Sequence, residues 1–114
     1  MLIVEKDPHG KDQHEAGAKL DAGKNRMALM LSGFANALTA IGEVATYGAQ
    51  KYTPDGWVTV EGGIERYSDA MMRHWFALQR GETIDAESGQ HHMAHFAWNV
   101  LAVLELMERE KKSQ

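Results

Sequence analysis

The sequence predicts an all-α protein, a small bundle of about three principal helices behind an irregular N-terminal arm. Two observations carry that expectation: apolar residues recur at helical spacing in three separate stretches, and Gly, Pro and Asp cluster between them. At 114 residues and 44% hydrophobic content, the chain suits one modest core. A single domain over 1–114 is expected, with an arm or loop over 1–25 and a helical core over about 26–111.

The arm is expected because residues 5 to 25 are rich in Asp, Glu, Lys, His and Gly with little apolar periodicity. From about Ala28 to Lys51 the pattern is helical, weakened at Gly33 and Gly42, with Leu38, Ile41, Ala45 and Gly48 on one stripe. Pro54 disfavours helix at Thr53, and Asp55-Gly56 is a turn pair, so the helix stops there. Val58 to Val60 reads as a brief extended piece. Gly62-Gly63 opens a second helix, about Ile64 to Arg80, whose Ile64, Tyr67, Met71, Trp75 and Leu78 form a stripe expected to be buried. An acidic connection, Gly81 to Gly89, leads to a third helix from about Gln90 to Lys111. Its apolar stripe is Met93, Phe96, Ala97, Val100, Leu104 and Met107, and Lys111 and Lys112 suit the negative end of the helix dipole.

Composition removes several classes of function. A net charge of −4 and a pI near 5.8 argue against a surface dedicated to a nucleic-acid backbone. The absence of cysteine excludes disulfides and thiolate metal sites, and suits a reducing cytoplasm. Met1-Leu-Ile-Val4 is too short for a signal core, and no segment reaches the roughly 20 apolar residues of a membrane span. A cytoplasmic protein is expected, in whatever cell or infected cell makes it. A homo-oligomer, dimer or tetramer, would extend so small a core.

The chemistry-bearing residues fall on the three helices. His92, His95 and Asn99 stand at i, i+3 and i+7 on the last helix, where imidazoles one turn apart could share a metal, flank a phosphate, or simply be satisfied interface residues. Asp69 and Arg73 are an i, i+4 pair followed by His74, either a surface ion pair or a carboxylate among Ala70, Met71 and Met72 that needs a partner. Glu43 lies mid-helix. A carboxylate there facing an Asp on another helix is how an all-helical protein assembles a Mg²⁺ site. Asp85 and Ser88 read as structural or helix-capping residues. Lys24 and Arg26, with Lys19 and Lys51, are either polyphosphate-neutralising or solvated.

Taken in order, Lys24-Asn-Arg26, Tyr47-Gly-Ala-Gln-Lys-Tyr52, Trp57, Asp69-Ala-Met-Met-Arg-His74, Gly81-Glu82, Asp85, Glu87-Ser-Gly89 and His92-Met-Ala-His95-Phe-Ala-Trp-Asn99 resemble a phage family, the dATP/dGTP diphosphohydrolase N-terminal domain. That family is regarded as related to the all-helical MazG-like nucleotide pyrophosphatases. The resemblance runs from about Lys19 to Leu106. It implies a MazG-like fold and hydrolysis of a purine deoxynucleoside triphosphate to monophosphate and pyrophosphate with Mg²⁺ or Mn²⁺. On that footing Glu43, Asp69, His92 and His95 would be catalytic and hold the metal. Lys24, Arg26, Lys51, Arg73 and His74 would face phosphates, and Tyr47, Trp57 and Asn99 the base or sugar. MazG-like sites carry further carboxylates where this chain has Thr46 and Arg66. Two readings follow: imidazoles complete the metal shell, or the protein binds or sequesters the nucleotide without hydrolysing it.

Overall fold

The structure is a computed structural model and describes residues 5–113. Met1 to Val4, read above as too short for a signal, lie outside the described residues. The elements are α1 (Met27–Leu31), α2 (Ala35–Lys51), a 3-10 turn (Gly56–Thr59), α3 (Gly63–Gln79) and α4 (His92–Ser113). The protein is all-α with three main helices. Among the described residues there is no strand, only an isolated bridge between Ile84 and His91. No helix is long and apolar enough to cross a membrane.

The chain forms two compact units, Met1–Gly33 and Phe34–Gln114. In the first, the Asp7 carboxylate accepts the backbone N–H of His9 at 2.6 Å and of Lys19 at 2.8 Å, folding the acidic segment into turns. The bond from Lys19 holds the Asp7 carboxyl below its usual range. The helix expected from Ala28 to Lys51 is broken in two. Gly33 adopts φ +85°, a left-handed conformation a side chain resists, and so α1 belongs to the first unit rather than to the helical core.

In the second unit α4 packs mainly on α3 and secondarily on α2. The extended piece expected at Val58 to Val60 is instead the 3-10 turn: Asp55 takes a left-handed conformation, Val58 N–H returns to the Asp55 carbonyl at 3.2 Å, and the Tyr67 hydroxyl donates to the Trp57 carbonyl at 3.0 Å. Trp57, Tyr67 and Trp98 then meet edge to face, with ring centroids 5.6 to 6.4 Å apart.

The phase of α4 differs from the one its hydrophobicity suggests. The buried row is His92, His95, Asn99 and Ala102, with Ala94 beside it. Of the expected apolar stripe, Met93, Val100, Leu104 and Met107 are exposed, and Phe96 and Ala97 only half-buried. On α3 the inward line runs through Gly63, Tyr67, Ala70, His74 and Ala77, and Trp75 is 36% exposed. Hydropathy alone places the imidazoles outside. They turn inward because each finds a hydrogen-bonding partner there.

The apolar residues that are buried outright are small, namely Val44, Ala77, Ala94 and Ala102. Small residues let α3 and α4 approach closely. At Gly63 an added Cβ would stand 3.0 Å from Leu106 Cδ1 and 3.5 Å from the Tyr67 ring. Gly63→Ile is therefore expected to destabilise the domain by about 1–3 kcal/mol through overpacking. Urea denaturation followed by circular dichroism measures this as a lower midpoint at unchanged slope.

Candidate functional site

Helical spacing sets His92 and His95 one turn apart on α4, and His74 meets both from α3. The His74 and His95 rings stack, with centroids 4.4 Å apart and planes 7° from parallel. His74 Nδ1 lies 2.8 Å from His92 Nδ1. Two imidazole nitrogens at that distance need one N–H and one lone pair, so His74 and His92 cannot both be protonated on Nδ1. Burial pushes the His74 pKa down to about 4, and repulsion from His95 and His92 adds to it. Burial lowers His95 as well, against the attraction of Asp85.

The connection between α3 and α4 supplies the polar partners. The Asp85 carboxylate accepts the Ser88 N–H at 3.0 Å and the Ser88 hydroxyl at 2.7 Å. Ser88 Oγ is also 2.7 Å from His95 Nε2 and accepts the Gln90 N–H at 3.1 Å. An ionised Asp85 accepts the hydrogen bond of the Ser88 hydroxyl, so this network assigns His95 as the Nε2–H tautomer, donating to Ser88 Oγ and keeping its lone pair on Nδ1. Burial opposes ionisation of Asp85, yet the Ser88 hydrogen bonds hold its carboxyl below the usual range. The His92 N–H donates to the Thr83 carbonyl at 2.9 Å, which ties the connection to the start of α4.

From α2, Tyr47 meets the His95 ring edge-on at 6.4 Å. One turn on, Lys51 Nζ is 2.6 Å from Glu87 Oε1, which raises the Lys51 pKa and lowers that of Glu87. Burial and the neighbouring Glu87 carboxylate raise the Tyr47 phenol. Beside these groups lies an open cleft of about 510 Å³, lined by Thr39, Gly42, Glu43, Thr46, Tyr47, Gln50, Ser88 and Gln90. Tyr47 and Ser88 line the cleft and also meet the His95 ring, so the cleft borders the surroundings of the imidazole cluster.

The structure brings His74, His92, His95, Tyr47 and Lys51 into one neighbourhood, and Glu43 sits exposed in the cleft wall. The others lie elsewhere. Asn99 is buried one turn beyond His95 and donates to its carbonyl at 2.8 Å, a contact within α4. Trp57 lines a separate groove with Trp98. Asp69 and Arg73 occupy the exposed side of α3 and form no ion pair with each other. Asp69 is thus solvated, contrary to the expectation from its apolar neighbours. Lys24 and Arg26 are exposed in the first unit, Lys24 3.6 Å from Glu5.

The expected metal set of Glu43, Asp69, His92 and His95 does not assemble. Among the described residues no three His, Asp or Glu side chains are placed to hold a metal ion. The reason is helical phase: Asp69 is five residues, roughly 140°, from the inward-facing His74. His74 Nδ1, His92 Nδ1 and His95 Nε2 are engaged with one another and with Ser88. Imidazole donors, moreover, suit transition metals better than Mg²⁺.

Sequence reasoning gave Asp85 and Ser88 a capping role and passed over Thr39 and Gln50. The available signal was Asp-x-x-Ser followed by the His row.

Fold and site together define an all-helical domain that presents a polar cleft beside three inward-facing imidazoles. Residues 14–114 match the family described as dATP/dGTP diphosphohydrolase, N-terminal, and the chain belongs to that family. A relative from Salmonella phage PMBT28, named dATP/dGTP diphosphohydrolase, is 32% identical over 97 residues, which cover 85% of this chain and 32% of the relative. The chain thus spans about a third of that relative's length. No solved structure matches it.

The lowered histidines have a consequence for stability. A ring that titrates near pH 4 when folded and near 6.5 when unfolded leaves the unfolded chain binding more protons between those values. Stability is then fully present above about pH 6.5 and declines as pH falls toward 4. Thermal unfolding at pH 7.5 and pH 5 is expected to show the midpoint several degrees lower at pH 5, and His74→Phe is expected to shrink that difference.

Proposed function

We propose that this domain binds a purine deoxynucleoside triphosphate in the cleft between α2 and the α3–α4 connection and hydrolyses it to the monophosphate and pyrophosphate. The observation that carries the reading is the meeting of cleft and imidazole cluster at Tyr47 and Ser88. Family membership supports the substrate class. In this reading water attacks the α-phosphorus, the α–β bridging bond breaks, and pyrophosphate leaves. His95, uncharged at neutral pH and oriented by Ser88 and Asp85, takes the proton of the water at its lone-pair nitrogen. Lys51 would exchange Glu87 for phosphate oxygens, and Thr39, Glu43 and Gln50 would meet the base or sugar. Mg²⁺ or Mn²⁺ enters this reading as the companion of the triphosphate.

A second reading is a nucleotide-binding module without turnover, and the existing engagement of the cluster nitrogens favours it. Incubation with dATP and dGTP in Mg²⁺, with separation of the products, distinguishes the two. Equal amounts of monophosphate and pyrophosphate are expected, falling by about 10² or more for His95→Gln and ceasing with EDTA. Nucleotide binding with no pyrophosphate release would establish the second reading. Turnover undiminished by EDTA would remove the metal from the first.

A further inference from the structure

The wall that α2 gives to the cleft is polarised along the helix. Thr39 donates its hydroxyl proton to the Ala35 carbonyl at 2.7 Å, and Thr46 donates to the Gly42 carbonyl at 2.9 Å. With those protons spent on the helix backbone, both hydroxyl oxygens offer only lone pairs to the cleft. Glu43 stands between them on the same stripe, exposed, and adds two more acceptor oxygens. It alone among the residues that line the cleft carries a charge. Among the described residues no basic side chain pairs with it. Donors gather at the other end of α2, where Lys51 and the Tyr47 hydroxyl stand beside Glu87.

This polarity orients an anionic ligand. A nucleoside triphosphate cannot lay its phosphates along Glu43, because like charges repel. The phosphates belong near Lys51, about 12 Å further along α2 at 1.5 Å per residue, which leaves the base at the acceptor-rich end. There the two purines differ. Guanine presents N1–H and the N2 amino group side by side on its Watson–Crick edge, two donors that match the two oxygens of one carboxylate. Adenine presents its N6 amino group beside the N1 lone pair, and that lone pair would oppose a carboxylate oxygen. At Gly42 a Cβ would meet open space, so a planar ring can approach the helix backbone next to Glu43. Resting on the reading of the cleft as the nucleotide site, we infer that Glu43 is the residue that selects the base, and that it selects guanine over adenine. The carboxylate takes N1–H and the N2 amino group together, and the spent hydroxyls of Thr39 and Thr46 leave no donor beside it for the N1 lone pair of adenine.

Calorimetric titration of the whole chain with the α,β-methylene analogues of dGTP, dITP and dATP in Mg²⁺ reads this without turnover. Wild type is expected to bind the dGTP analogue about 10-fold or more tighter than the dATP analogue, with the dITP analogue, which lacks the N2 amino group, between them. Glu43→Gln exchanges one acceptor oxygen for an amino donor, which suits the N1 and N6 edge of adenine, so the preference is expected to vanish or reverse. Equal wild-type affinities for the dGTP and dATP analogues, or a guanine preference unchanged in Glu43→Gln, would overturn the inference. Gly42→Leu separates that failure from failure of the site. Leucine favours helix over glycine and its Cβ meets nothing within 4 Å, yet its side chain fills the cleft floor. Weaker binding of every analogue, with helical circular dichroism retained, is expected. Binding unchanged in Gly42→Leu would place the nucleotide elsewhere and overturn the site and the inference together, whereas binding lost in that variant but equal for the two bases in wild type would overturn the base assignment alone.

Discussion

The helical unit is organised around one constraint: three imidazoles are packed together between α3 and α4, and every buried polar atom among them must find a partner. A buried polar group without one costs on the order of 1–3 kcal/mol. Among the described residues no buried side-chain nitrogen or oxygen lacks a hydrogen bond. His74 and His92 satisfy each other, Ser88 satisfies His95, and Asp85 fixes Ser88. The acidic connection is in this sense part of the core, since it returns polar groups to a helix face that apolar side chains would ordinarily fill. The small residues Gly63, Ala77 and Ala102 follow from the same requirement, because they allow the close approach of helices that brings the rings together.

Much of the fold is legible in the sequence because it depends on local signals. Pro54 and Asp55-Gly56 end α2, Gly62-Gly63 begins α3, and the last helix runs nearly as expected. Gly33 marks the break before α2, but one glycine alone does not reveal a left-handed conformation. What hydropathy could not give was the rotation of α4. A row of His92, His95 and Asn99 is costly inside until partners are supplied, and those partners, His74 and Ser88, come from other segments. The same blindness affects the site: His92 and His95 stand out by spacing, but whether Glu43 and Asp69 face them depends on helix phases that only tertiary packing sets. Asp69 looked sheltered by its sequence neighbours and is solvated, because adjacent residues on a helix point in different directions.

Turning the imidazoles inward also decides what faces outward. The apolar residues of α4 that would have built a monomeric core are displaced to its far side, and the buried apolar residues left behind are small. The polar interior and the bare exterior are therefore two results of one rotation. In chemical terms burial lowers the pKa of His74 and His95, which sit near a cleft open enough for a polar ligand.

The most direct measurement is nitrogen-detected NMR titration of the three ring systems, alone and with dGTP. The account predicts that His74 remains neutral until about pH 4, that His95 carries its proton on Nε2, and that nucleotide perturbs His95, Tyr47 and Ser88 together. Ordinary titration of His74 near pH 6.5, with nucleotide shifts confined to residues away from the cleft, would contradict it.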